Sequence, residues 1–195
     1  MRVQADGFEF HFPDALDAFC FDEKDRTRPH FHGLSHAMKA VDLVIELPTD
    51  YLFIEIKDFN AADDYNFKRA LDAAQRTERQ ACFNHLRDVL KHKFRDTWLY
   101  RWAEGKIDKP IRYLCLLTLD NALLPVMSQE LRRQLPVGAA GPRWTSSLAQ
   151  SCAVVNLERW NANFPRWPVT RTQALPMTAN ASAASNIPPA SGENP

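Results

Sequence analysis

The chain lacks clustered cysteines, a long apolar run and any excess of one charge. Its four cysteines, Cys20, Cys82, Cys115 and Cys152, stand singly with no C-x-x-C. That argues against a disulfide framework or a zinc knuckle and fits reduced thiols. No stretch approaches the roughly 20 apolar residues of a membrane span, and the opening MRVQADGFEFHF has no apolar signal core. A cytoplasmic protein with no membrane association is the expectation. Lys plus Arg and Asp plus Glu number 24 each, so a global polybasic field is excluded and any nucleic-acid contact must be local. No internal repeat is visible.

What is present is enough apolar content, 45% of 195 residues, for one core and one domain. We assign that domain to residues 1–167. Residues 168–195 turn to Pro, Ala, Ser, Thr and Asn, a composition that cannot offset its ordering entropy, so a disordered tail is expected. Charge is uneven along the chain. Residues 1–65 are acidic, whereas residues 76–106 hold 8 basic and 4 acidic side chains. An acidic pocket beside a basic helix suits a metal and a phosphate; mutual neutralisation of two surfaces accounts for the same pattern.

Along the chain, Phe8, Phe10 and Phe12 alternate with Glu9 and His11 as in a short strand. Leu16, Phe19 and Cys20 have helical spacing, predicting a short helix over DALDAFCF. A polar loop follows, then the run His30, His32, His36. That run could bind zinc, although no fourth ligand follows, or could be a surface loop. Phe83, Leu86, Leu90, Phe94 and Trp98 form one apolar stripe of a long helix that starts after Asn60 and ends at Gly105. Arg79, Arg87, Lys91 and Arg95 lie off the stripe. PIRYLCLLTLD reads as a strand buried on both faces, SQELRRQL as a short helix, CAVVNL as a last strand, and Trp98, Trp102, Trp160 and Phe164 as core.

Residues 39–59, KAVDLVIELPTDYLFIEIKDF, carry the chemistry. Two strands flank a Pro48-Thr49-Asp50 turn and contain Asp42, Glu55 and Lys57 within apolar sequence. Buried charge is costly unless it is paired or holds a metal. Glu55 and Lys57 share one strand face. Asp42 shares it only if the register allows. A three-residue loop would turn Asp42 away, whereas a two-residue Thr49-Asp50 turn, or a bulge, would bring it to the Glu55 face. The alternative places Glu55 and Lys57 as solvated charges on an edge strand.

Asp42 followed by Glu55-Ile56-Lys57, with a long helix and a buried strand after them, resembles the PD-(D/E)XK, or restriction-endonuclease-like, nuclease superfamily over residues 8–160. The resemblance implies an α/β fold with a small mixed central sheet flanked by helices. It also implies a phosphodiester-hydrolysing enzyme using Mg²⁺ or Mn²⁺, with DNA as the expected polymer. Asp42, Glu55 and the Ile56 backbone carbonyl would bind the metal, and Lys57 would activate water and counter phosphate charge. Accessory positions are Asp14 or Asp17 from the first helix, His36, and Gln75 or Gln80 from the helix after the motif. Arg76, Arg79, Arg87 and Lys91 are candidates for phosphate contact, or a solvated helix face. A second copy or a partner protein could supply specificity. The competing expectation is a non-catalytic nuclease-fold subunit or scaffold in a nucleic-acid-processing or defence complex, favoured by the neutral charge and the absence of a recognisable DNA-recognition domain.

Overall fold

The computed structural model describes residues 1–59, 73–138 and 141–172. The alternating aromatic residues at the N-terminus form a hairpin, β1 (Arg2–Ala5) and β2 (Phe8–His11). Its two-residue turn is Asp6-Gly7, both at positive φ (47° and 77°), which Asp-Gly adopts with little strain. β8 (Val169–Arg171) completes an antiparallel three-stranded sheet in the order β1-β2-β8.

The larger sheet has five strands, β3 (Asp17–Cys20), β4 (Leu43–Glu46), β5 (Tyr51–Lys57), β6 (Ile111–Leu117) and β7 (Ser151–Val155), in that spatial order. β3, β4 and β5 are antiparallel neighbours, and β5, β6 and β7 are parallel. Parallel pairs need crossovers, and α1 (Ala73–Ala103) and α2 (Leu123–Gln134) lie in those connections. A third helix, α3 (Leu157–Asn163), follows β7. The architecture is mixed α/β with two sheets and three helices among the described residues, none of which is long and apolar enough to cross a membrane.

Period two divides β5 between two cores. Tyr51 and Phe53 join Val44, Tyr113, Leu86, Leu90, Phe94 and Met127 on the helix side. Leu52, Ile54 and Ile56 join Phe8, Phe10, Phe12, Trp160 and Val169 on the side of the small sheet. Each fully buried Leu, Ile or Phe contributes roughly 1.5–3 kcal/mol relative to exposure. The helices α1 and α2 therefore cover one face of the central sheet, and a second sheet with α3 covers most of the other, where the expectation was a sheet flanked by helices. α1 ends in a Schellman arrangement: Lys106 N–H reaches Arg101 O at 2.8 Å and Gly105 N–H reaches Trp102 O at 3.0 Å, with Gly105 at φ +71°.

Four expectations change. Residues 17–20 are a strand, not a helix. Phe19 and Phe21 pack toward the helix-side core while Ala18 and Cys20 pack toward the other, so the true period is two, and Leu16, read as part of an apolar helical face, is 56% exposed. The boundary at Trp167 falls too early. Val169, 1% exposed, pairs with Phe10, and Asn161 clamps its backbone through both N–H and C=O, so ordered chain runs to Thr172. Residues 173–195 lie outside the described part. Trp102 is 60% exposed rather than core. Finally, the antiparallel strands are preceded by a hairpin, with no helix among the described residues before them.

Candidate active site

β4 does not run the full length expected of residues 39–47. Its ladder with β5 ends at Leu43↔Ile54, because residues 39–42 are drawn toward α1 and β3. Lys39 N–H donates to Asp96 Oδ2, Val41 N–H to Thr97 Oγ1, and Phe21 N–H to the Asp42 carbonyl. Ile56 therefore loses its next backbone partner, and its N–H donates instead to Asp42 Oδ2 at 2.6 Å. A strand residue directs its N–H and C=O to the same neighbour, so the Ile56 carbonyl faces the same notch.

The hairpin loop is Pro48-Thr49, one residue earlier than the expected Thr49-Asp50 turn: Leu47 N–H donates to Asp50 O at 2.8 Å. This register continues to put Asp42 across from Glu55, on the helix-facing side with Lys57. The common face follows, through a different two-residue loop. β5 is the third of five strands, so the edge-strand alternative is excluded.

Glu55 is wholly inaccessible, and among the described residues its Oε2 has no hydrogen-bond partner. Two ammonium groups stand near Oε1: Lys93 Nζ at 2.8 Å and Lys57 Nζ at 3.3 Å. Lys93 Nζ also lies 3.3 Å from Asp42 Oδ1. Burial is the dominant influence on Glu55. Together with Asp42 it lifts the carboxyl to about 8, against the opposing pull of Lys93 and Lys57. Burial alone would depress Lys93, but Glu55 and Asp42 outweigh it and hold the ammonium charged. Lys57, with its side chain 33% exposed, forms the solvent-facing edge. Asp6, on the β1–β2 turn, is raised by desolvation and then by Asp42, and it feels Lys57 and Lys93. The neighbouring thiol of Cys115, which pairs with Glu55 across β5 and β6, is pushed well up by burial and is no nucleophile.

Lys93 is the residue missed in the sequence. It continues the row Leu86, Leu90, Lys93, Thr97 at spacings of four, three and four, and both Leu86 and Thr97 are 1% exposed. A lysine within a buried helical row is the signal that could have found it.

The accessory residues whose side chains are described do not join the site. Asp17 pairs with Glu46, four strand residues or about 13 Å from Asp42. Asp14 accepts from Trp167 Nε1 and meets Arg166. His36 is exposed on the loop before β4. Gln80 is exposed and bonds Asn84, 13 helical residues or about 20 Å from Lys93. The side chains of Gln75 and Arg76 lie outside the described residues. Arg87 and Lys91 pair with Asp88, with Asn84 and Gln134 as further partners, and Arg79 is half-buried. His30 stacks on Phe19 at 3.8 Å and His32 on Phe21 at 5.3 Å. Among the described residues no group of three or more His, Cys, Asp or Glu side chains could hold a metal, and the histidine run gathers no zinc ligand set there.

The donor set at the notch is two carboxylates and a carbonyl. Hard oxygen donors of this number fit Mg²⁺ or Mn²⁺, which keep several waters, and do not fit zinc or the six to eight oxygens of calcium. The buried Glu55 Oε2, without a hydrogen-bond partner among the described residues, is the feature such an ion would satisfy. Comparison with models of known protein families, with curated proteins and with solved structures finds no match for the chain.

Proposed function

We propose that the protein is a divalent-metal-dependent nuclease that hydrolyses phosphodiester bonds in DNA, on a restriction-endonuclease-like core. The observation that carries this reading is the convergence of Asp42, Glu55 and Lys57 on one face where β4 leaves β5. Supporting the core assignment are the three antiparallel strands, the helix crossover and the parallel strand that follow in order; the missing first helix departs from it.

Asp42 Oδ1, Glu55 and the Ile56 carbonyl would hold Mg²⁺ or Mn²⁺. Such an ion polarises a phosphoryl oxygen and makes bound water more acidic. Lys57 at the solvent edge would hold the attacking water in line and oppose charge developing on the phosphate. Asp42 is fixed for its part by the Ile56 N–H, which leaves Oδ1 facing the notch. A second copy or a partner protein would supply sequence or structure specificity.

Incubation of purified protein with plasmid, single-stranded DNA and RNA in Mg²⁺ or Mn²⁺ tests the proposal. Cleavage abolished by both Glu55→Ala and Lys57→Ala is expected. Cleavage that survives both substitutions assigns the activity to another site or a contaminant. The scaffold reading has one observation in its favour: Lys93 already bridges the two carboxylates, so the site is charge-compensated without an ion. Absence of cleavage on every polymer, together with absence of bound Mn²⁺, would select it.

A further inference from the structure

We propose that Lys93 is an exchangeable internal cation: it occupies the notch between Asp42 and Glu55 in the metal-free protein and vacates it when a divalent ion enters. The inference rests on the reading of Asp42 and Glu55 as a metal-binding pair.

Three observations carry it. The first is position. Asp42 Oδ2 is engaged by the Ile56 N–H, so an ion shared by both carboxylates would use Asp42 Oδ1. Lys93 Nζ stands 3.3 Å from that atom and 2.8 Å from Glu55 Oε1. Magnesium binds oxygen at about 2.1 Å, so an ion bridging these atoms would stand in the space that the ammonium fills.

The second is charge. Asp42 and Glu55 face Lys93 and Lys57 in a pocket where Glu55 is fully buried, so once both carboxyl groups are ionised two negative groups already meet two positive ones. A divalent ion added beside an unmoved Lys93 would bring the ion, Lys93 and Lys57 to four positive charges against two negative ones in a poorly screened site. Departure of Lys93 lessens that repulsion.

The third is freedom to move. Lys93 projects from α1 on a flexible four-carbon stem, and its side chain retains 11% exposure, so the ammonium is not sealed into the notch.

The test reads Lys93 directly in the wild-type full chain. A brief pulse of an amine-acylating reagent, followed by mass spectrometry of peptides, measures its reactivity with and without saturating Mg²⁺, while calorimetry measures Mg²⁺ binding. The expected result is a rise of at least fivefold in Lys93 labelling on Mg²⁺ saturation, with exposed Lys106 unchanged, and no rise in Glu55→Gln. If Mg²⁺ binds in a Glu55-dependent manner while Lys93 stays protected, ammonium and ion share the notch and the exchange is overturned, with the metal reading intact. If neither Mg²⁺ nor Mn²⁺ binds, or binding is indifferent to Glu55→Gln, the metal reading fails and the exchange fails with it.

Discussion

The Asp42 carboxylate replaces a missing strand partner for Ile56: Oδ2 accepts the Ile56 N–H at 2.6 Å where the β4–β5 ladder would otherwise have continued. The same side chain thus closes the sheet and faces the site. Asp42→Ala leaves a buried donor without its acceptor, a loss of about 1–3 kcal/mol. Asp42→Asn keeps an amide oxygen for that N–H, so it should lose less stability in urea than Asp42→Ala, although both give up the ion pair with Lys93. Equal destabilisation by both substitutions would remove this hydrogen bond from the explanation.

Glu55 predicts how stability responds to pH. Its folded value, about 8, lies above the ordinary carboxyl value of about 4.3 in the unfolded chain. Between those values the folded state binds more protons than the unfolded state, so this group makes stability fall as pH rises. The penalty is absent below about pH 4 and complete above about pH 9. Glu55→Gln, which cannot ionise, should gain stability relative to wild type between pH 4 and pH 9, by on the order of 3–5 kcal/mol, whatever constant cost it carries from leaving Lys93 without its partner. Paired urea titrations at the two pH values check this, since other titrating groups cancel in the difference.

Much of the central hairpin is legible in sequence because period two leaves few choices: once Glu55 and Lys57 share a strand, they share a face. Which face Asp42 takes is not legible. It depends on whether the loop has two residues or three: Pro48-Thr49 and Thr49-Asp50 both bring Asp42 to the Glu55 face, whereas a three-residue Pro48-Thr49-Asp50 loop would turn it away. The peeling of residues 39–42 depends on hydrogen bonds to Asp96 and Thr97, more than 50 residues away along the chain, a tertiary preference with no local pattern. Residues 17–20 mislead for a related reason. A four-residue strand offers too few positions to separate spacings of three and four from alternation. Lys93 and the Asp6-Gly7 turn carry signals that sequence reading can use, a charged residue in a buried helical row and a dipeptide favoured in two-residue hairpins.

The extension of the domain past Trp167 can be checked at Asn161. Its amide donates to Val169 O at 2.9 Å and accepts from Val169 N at 2.8 Å, holding β8 over Phe8 and Phe10. Asn161→Ala should cost about 1–3 kcal/mol through the unpaired backbone groups and speed amide exchange in residues 169–171. Unchanged exchange there would mean that the pairing of β8 with β2 suffices without the clamp.

Lys93 and Glu55 should be strongly non-additive, because removing one strands the other. Lys93→Met preserves length and apolar stem but leaves Glu55, at 0% exposure, with Lys57 alone nearby. At pH 9, where Glu55 is ionised, breaking such a buried pair costs about 3–5 kcal/mol. At pH 6 Glu55 can take up a proton, so the cost should be smaller. In Glu55→Gln/Lys93→Met no buried Glu55 charge is left to strand, so the double variant should be more stable than Lys93→Met at pH 9. A double-mutant cycle by urea unfolding at both pH values measures the coupling. Additivity at pH 9 would show that the 2.8 Å contact contributes nothing to folding, and that Lys93 is held in the notch by Asp42 and the packing of α1 instead.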